Sequence, residues 1–273
     1  MVGYGVTPMQ GIDRGLSALA DACWLSRKQK EWLSMQHDAK FRFIPSPPIP
    51  GKAITLDEYQ SKTQLSHSSI PIPRGVLINQ DRELPPQLID FSFPVALKVV
   101  SAALPHKTEV GGVTLGLNNA HEVQRAMDAM KSRLKDITPG HDRFDFLVEE
   151  MVGDVVCELL VGIKRDPQFG PTMLIASGGI FVELIRDGKT LLLPSTKARI
   201  AHTLTQLPCY PLIKGFRGRP GGALNTLIET IYQITQFAEA NADTLLEMDI
   251  NPLMVTQTHV YAADALIRLI RPA

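Results

Sequence analysis

The sequence is poor in several features that would assign it quickly. Its three cysteines, Cys23, Cys157 and Cys209, are far apart and form no C-x-x-C pair. That spacing argues against a disulfide framework or a zinc site and fits a reducing compartment. There is no excess of charge, with 28 basic and 28 acidic side chains. A nucleic-acid track or an attraction to anionic membrane is therefore not expected, and any anion site must be local. No window approaches the ~18 consecutive apolar residues of a membrane span. The first residues are interrupted by Asp13, Arg14 and Asp21, so no signal-type apolar run stands there. A cytoplasmic chain with neither nucleic acid nor membrane as partner is the expectation.

Two phosphate-binding signatures are also missing. "RDGKT" at 186–190 resembles the end of a P-loop, but the position five before Gly188 is Glu183, not glycine. Asp187-Gly188 between β-rich runs reads instead as a hairpin turn. "GFRGRPGG" at 215–222 lacks the spacing of a dinucleotide fingerprint, and no strand leads into it. Its arginines could contact phosphate, although a solvated loop explains them as well. No internal repeat appears.

What is present is the composition of a globular protein, 44% hydrophobic and 21% charged over 273 residues. Apolar residues at 16, 19, 20, 23 and 24 predict a helix from about Ile12 to the mid thirties. The proline-rich "FRFIPSPPIPGK" then reads as an extended linker. Thr55 and Glu58 match a capping box for "TLDEYQSKTQLSHS". "FPVALKVVS" and "VTLGL" predict buried strands, and Asn119 with Glu122 predicts the cap of a helix carrying Val123, Ala126, Met127, Met130 and Leu134. "FDFLVEEMV", "VVCELLVGIKRD", "TMLIAS" and "IFVELI" follow as strands. Helices over roughly 198–207 and 223–240 precede a terminal hairpin from "LLEMDINPLMV" and "HVYAADALIRL". The pattern predicts an α+β, or mixed α/β, protein with mostly antiparallel sheets.

Several residues stand out against this background. Lys98 lies inside an apolar strand, where an unpaired ammonium costs several kcal/mol, so it needs an anion; an internal ion pair or an edge position would also serve. If the terminal arms pair about a centre at 257.5, midway between 251 and 264, Asn251 lies opposite Asp264, and Asp249 shares their face. Three oxygen-bearing side chains would suit Mg²⁺ held together with phosphates, or simply a polar solvent-facing side of the hairpin. Glu149, Glu150 and Glu158 near a turn carry little weight alone, and His106 on a Pro-containing loop has the ordinary look of a surface histidine.

Taken together, "LDEYQSKTQL…IPIPRG", "FPVALKVVSAALPHKTEVGGV", "VEEMV", "CELLVGIKRDPQFGP", "GGIFVEL", "GFRGRPGG" and "MDINPLMV" resemble, in order and spacing, the ATP-grasp domain of NDP-forming acyl-CoA synthetases. That group includes ADP-forming acetate–CoA ligase and, more distantly, the succinyl-CoA synthetase β subunit. The resemblance implies an ATP-grasp fold, two lobes clamping a nucleotide, with a helical extension before it. Residues 1–40 would be the tail of a preceding ligase-CoA domain, 41–54 a linker, and 55–273 the ATP-grasp domain, with lobes of roughly 55–148 and 149–273.

The resemblance also implies roles. Lys98 would contact nucleotide phosphates, and Gly111 and Gly112 would form the loop over them. Glu149, Glu150, Met151 and Val152 would form the hinge, with backbone groups of Glu150 and Val152 on the adenine edge and Glu158 near the ribose. Asn251 and Asp264 would hold Mg²⁺, His106 would accept a phosphoryl group in transit, and Asp249 would orient that histidine. ATP or ADP and Mg²⁺ are the implied cofactors. The resemblance implies a separated C-terminal half that needs a CoA-binding α-type subunit, with a hetero-oligomer as the implied assembly. A catalytically silent ATP-binding module, or the remnant of a split gene, is the competing expectation; a carboxylate–amine ligase fits the motifs less well.

Overall fold

Short β-branched runs separated by turn residues pair into two antiparallel sheets. The computed structural model describes residues 11–35, 50–81, 84–101, 107, 110–137, 144–179 and 187–271. The chain divides into two compact units, 1–43 and 44–273. In the first, α1 (Ile12–Met35) carries exposed Ile12, Leu16, Leu19 and Trp24.

In the second unit the smaller sheet joins, in order, β2 (Gly75–Asn79), β5 (Asp145–Glu150), β3 (Val95–Val100) and β4 (Val113–Leu117). Helix α3 (Ala120–Ile137) lies on it, because Val123, Met127, Met130 and Leu134 recur at helical spacing and are all buried. Its cap is the predicted one. Asn119 Oδ1 accepts from the Glu122 amide at 2.9 Å, and Asn119 Nδ2 donates back to Glu122 Oε1 at 3.2 Å.

The larger sheet runs β1 (Lys52–Thr55), β11 (Ala265–Arg271), β9 (Leu245–Val255), β6 (Cys157–Asp166), β7 (Gly170–Ser177) and β8 (Lys189–Leu192), with β10 (Val260–Ala262) also on β9. Ile200 and Leu204 of α4 (Lys197–Leu204) and Leu227, Ile231 and Ile234 of α6 (Leu224–Ala240) share a core with Val161, Ile163, Met248 and Ile250. Each fully buried aliphatic side chain of this kind contributes about 1.5–3 kcal/mol relative to exposure. The period of two along β9 then puts Glu247, Asp249 and Asn251 on the opposite face, free for polar work.

Four expectations change. Helix 198–207 stops at Leu204, and a separate α5 (Tyr210–Lys214) follows Pro208, which cannot continue a helix. Helix α2 (Glu58–His67) is capped by Asp57 and not by Thr55: Asp57 Oδ1 accepts from the Gln60 amide at 2.8 Å, and Gln60 Oε1 accepts from the Asp57 amide at 3.3 Å. Leu65 and Ile70 are buried in the larger sheet's core, so residues 55–70 belong with that sheet and not with the first lobe. Asp187-Gly188 is not the turn of the β7–β8 hairpin, because the register Ile175↔Lys189 places Asp187 beside Ser177, whose hydroxyl it accepts. The reversal itself, with "IFVELI", lies outside the described residues. Among the described residues no helix is long and apolar enough to cross a membrane.

Candidate active site

Lys98 sits in β3, a strand buried at all of its positions. Its ammonium donates to Glu58 Oε1 at 2.6 Å and to the Ala263 carbonyl at 2.8 Å, and lies 2.9 Å from Glu149 Oε2. Because Asp57 takes the cap, Glu58 at the first turn of α2 is free to point inward. Lys62, one helical turn on, donates to Glu149 Oε1 and to the same Ala263 carbonyl at 2.8 Å. Lys107 pairs with Glu58 Oε2 and lies 2.8 and 3.1 Å from the two Asp264 carboxylate oxygens. Three ammonium groups thus meet three carboxylates, those of Glu58, Glu149 and Asp264. Gly75 pairs with Glu149 across β2–β5, and a Cβ there would come within 3.0 Å of Glu149 Cγ.

The electrostatics follow from this packing. Burial alone would raise the Glu58 carboxyl, but Lys98, Lys107 and Lys62 outweigh it and hold it at about 2. Burial acts to lower Lys98, yet Glu58, Glu149 and Asp264 push it above its ordinary value. Lys62 goes the other way, lowered by burial and by Lys98 despite its acidic partners. Asp264 is raised by burial and Glu58 against the pull of Lys107 and Lys98, and Asp249 is raised by burial, Asp264 and Glu247. Two carboxyls kept above their ordinary values are groups that an added cation would stabilise.

Asn251 and Asp264 do face each other: β9 and β11 pair Ile250 with Ala265, and the Asn251 amide donates to the Asp264 carbonyl at 3.2 Å. Asp249 follows on the same face between Leu266 and Gly162. The donors are oxygen atoms, as a hard cation prefers, and the Lys107 ammonium stands on Asp264 as a cation would. Among the described residues no group of three His, Cys, Asp or Glu surrounds a single point. A metal here would complete its shell with phosphate oxygens and water.

Gly112 is tied to this cluster. Its amide donates to the Lys107 carbonyl at 2.6 Å, and its own carbonyl accepts from the Val99 amide, next to Lys98, at 2.8 Å. Gly111 has φ of 66°, and its carbonyl accepts from Arg133 Nη1 at 2.8 Å. His106 lies outside the described residues.

The hinge residues separate. Glu149 is not an exposed acid but is 3% exposed within the cluster. Glu150 turns away: its Oε1 accepts from the Ser92 amide at 2.9 Å and lies 3.5 Å from Arg74, while its amide donates to the Arg74 carbonyl. That amide is therefore not available to an adenine edge. Glu150, Met151 and Val152 line a depression of about 670 Å³ with Arg74 and Tyr261. Glu158 stands apart on β6, where its carbonyl accepts from the Gly178 amide at 2.7 Å.

A family model described as an ATP-grasp domain matches residues 51–269. The chain belongs to the ATP-grasp family. It is 29% identical over 210 residues to the β subunit of ADP-forming acetate–CoA ligase I of Pyrococcus furiosus, covering 77% of this chain and 90% of that one. It is 31% identical to an ADP-forming acetate–CoA ligase of Methanocaldococcus jannaschii, covering 73% of this chain but 28% of that protein. The homologues thus include separate β subunits and longer chains. Acetyl-coenzyme A synthetase 1 of Ca. Korarchaeum cryptofilum, solved with coenzyme A and Ca-AMPCP, matches with a TM-score of 0.72 and 29% identity, covering 80% of this chain and 94% of that one. The same protein solved with coenzyme A and Mg-AMPPCP matches with a TM-score of 0.64 and 28% identity, covering 78% and 92%. The mixed helix-and-sheet architecture is the ATP-grasp fold.

In this ATP-grasp domain, sequence reasoning missed Glu58, Lys62, Lys107 and Arg133. The Glu58–Lys62 pair was visible as an acid and a base four residues apart on a predicted helix. Lys107, next to His106, carried no signal separating it from an ordinary loop lysine.

Proposed function

We propose that this chain is the nucleotide-binding, phosphoryl-transferring subunit of an ADP-forming acyl-CoA synthetase. The complete reaction would interconvert acyl-CoA, ADP and phosphate with carboxylic acid, ATP and CoA. The acyl and CoA chemistry would belong to an α-type partner subunit, and the phosphoryl group would reach ADP here. The ATP-grasp domain would begin at about residue 51, since β1 from Lys52 is already a strand of its larger sheet and not part of the expected 41–54 linker, with 1–40 the tail of a ligase-CoA domain, in a cytoplasmic assembly.

One observation carries this reading: the buried Lys98 ammonium and the Asp264 carboxylate belong to one charge cluster beside the Gly112 backbone, with Asn251 opposite Asp264 across the terminal hairpin. Lys98 would exchange one of its protein acceptors for a phosphate oxygen, and Gly111 and Gly112 would let phosphate approach the backbone closely. Asn251 and Asp264 would hold Mg²⁺, which supplies charge neutralisation on the transferred group when bound. At the hinge, the Val152 amide donates to nothing in the protein among the described residues, which supports it as the adenine donor. Glu149 serves the cluster, Met151 and the Glu150 carbonyl would border the base, and Glu158 would be near the ribose. His106 would carry the phosphoryl group, oriented by Asp249.

Calorimetric titration of the full chain with ADP and Mg²⁺ tests the binding half of this reading. Saturable binding whose enhancement by Mg²⁺ is lost in Asp264→Asn is expected; no binding at millimolar nucleotide would contradict it.

A further inference from the structure

Lys107 is a cluster member to which the proposed function gives no role. It bridges two carboxylates that belong to different elements, Glu58 at the start of α2 and Asp264 just before β11. Its side chain is 11% exposed and that of Glu58 5%, so that pair is enclosed, while the Asp264 side chain at 32% opens toward solvent. The ammonium spans both Asp264 oxygens, at 2.8 and 3.1 Å. A divalent cation held by Asp264 would stand beside the Lys107 ammonium on one carboxylate, and the two positive charges would repel and compete for its oxygens.

Glu58 does not need Lys107, since Lys98 already pairs with it at 2.6 Å. Asp264 has no second ammonium within ion-pair distance among the described residues. The Lys107 backbone is also tied to the glycine loop, because its carbonyl accepts from the Gly112 amide at 2.6 Å. An ammonium released from Asp264 therefore starts from beside the glycine backbone, with Glu58 as its remaining partner.

We propose that Lys107 is an exchangeable cation of the site, competing with a divalent metal for Asp264 and, when the metal–nucleotide takes that carboxylate, transferring its ammonium to the nucleotide phosphates. This rests on reading Asp264 as a metal ligand. It makes Lys107 a further nucleotide-binding residue and couples metal binding to phosphate binding through one side chain. Free metal should bind less well than metal together with nucleotide, because displacement leaves the ammonium with Glu58 alone, and the phosphates replace the acceptor it loses.

The test uses the full chain and Mn²⁺ followed by electron paramagnetic resonance, with ADP binding measured by calorimetry. Lys107→Gln is expected to tighten Mn²⁺ binding without nucleotide by about tenfold, and to weaken Mn²⁺-ADP binding by a similar factor. Asp264→Asn provides a second arm that does not depend on the first variant folding. With metal chelated, it is expected to bind ADP about tenfold tighter than the unsubstituted chain, because Lys107 is then held by Glu58 alone and no longer by Asp264. Unchanged Mn²⁺ affinity in a folded Lys107→Gln overturns the competition, even if Asp264→Asn still abolishes metal binding and so leaves Asp264 as a ligand. Unchanged metal-free ADP affinity in Asp264→Asn overturns it equally. Mn²⁺-ADP binding that survives Asp264→Asn undamaged removes the metal reading and the exchange with it.

Discussion

The Lys98 ammonium lies 2.6 Å from the Glu58 carboxylate, a partner 40 residues earlier in the chain. The contact joins the middle strand of one sheet to a helix packed on the other, so the two halves of the ATP-grasp domain are connected through buried charge. A lysine that the sequence marks as needing an anion already has one inside the protein. Under the proposed function, phosphate binding at Lys98 would be an exchange of acceptors and not the filling of an unmet need.

Removing Glu58 leaves three ammonium groups facing two carboxylates in a buried space. Glu58→Gln is expected to cost about 3–5 kcal/mol, since a broken buried pair strands the remaining charge. Urea denaturation measures it. A loss below about 1 kcal/mol, the size of an exposed pair, would contradict the geometry.

The same residue fixes an acid limb. Its carboxyl is held at about 2 against an ordinary 4.5, so its contribution is present above 4.5 and is lost as pH falls toward 2. Asp264, raised by burial, contributes in the opposite sense, so the comparison with Glu58→Gln isolates the Glu58 part. The stability difference between the two proteins should shrink steadily between pH 4.5 and pH 2. A difference independent of pH over that window would show that Glu58 is not held as a carboxylate.

Lys98→Met removes the cation while keeping most of the side-chain volume. Mg-ADP affinity should fall about tenfold or more, the value of a charge-assisted hydrogen bond. Calorimetry below the variant's melting temperature, with folding checked by circular dichroism, reads this directly. Unchanged affinity would take Lys98 out of the phosphate site. The melting temperature should fall as well, which the apolar strand alone did not suggest.

The two glycines should respond differently to alanine. At Gly112 a Cβ would collide with Val99 Cγ1 and come within 2.8 Å of the Lys107 carbonyl, backbone that cannot step aside. Gly112→Ala should cost about 1–3 kcal/mol and weaken nucleotide binding by displacing Lys107. At Gly111 the obstacle is the Arg133 guanidinium, which can move, leaving the strain of φ at 66°, about 1–2 kcal/mol. Thermal shifts with and without Mg-ADP compare them; a larger loss of nucleotide response at Gly111 would contradict the assignment.

Much of the fold was legible where local chemistry decides it. The hairpin register that sets Asn251 against Asp264 follows from two apolar arms and a polar centre, and Val260↔Val255 and Ala265↔Ile250 obey it. The Asn119–Glu122 cap likewise uses only neighbours. Glu58 was hidden because Asp57 and Gln60 supply a better cap than Thr55, and only then is Glu58 released toward Lys98. The burial of Glu149 depends on β2 and β3 flanking it and on Gly75 leaving it room, none of which adjoins it in sequence. Asp187-Gly188 has turn chemistry without being the turn, since the β7–β8 register continues past it.

The central claim is that this chain moves a phosphoryl group between nucleotide and histidine. The full chain is incubated with ATP labelled in the γ-phosphate and Mg²⁺, alone and with a CoA-binding partner subunit, and the protein is examined for acid-labile, base-stable phosphate. Label on His106, or on a histidine of the added partner, is predicted, and it should return to ATP when ADP is supplied. Saturable nucleotide binding with no label on either protein would contradict the claim and leave a silent nucleotide-binding module.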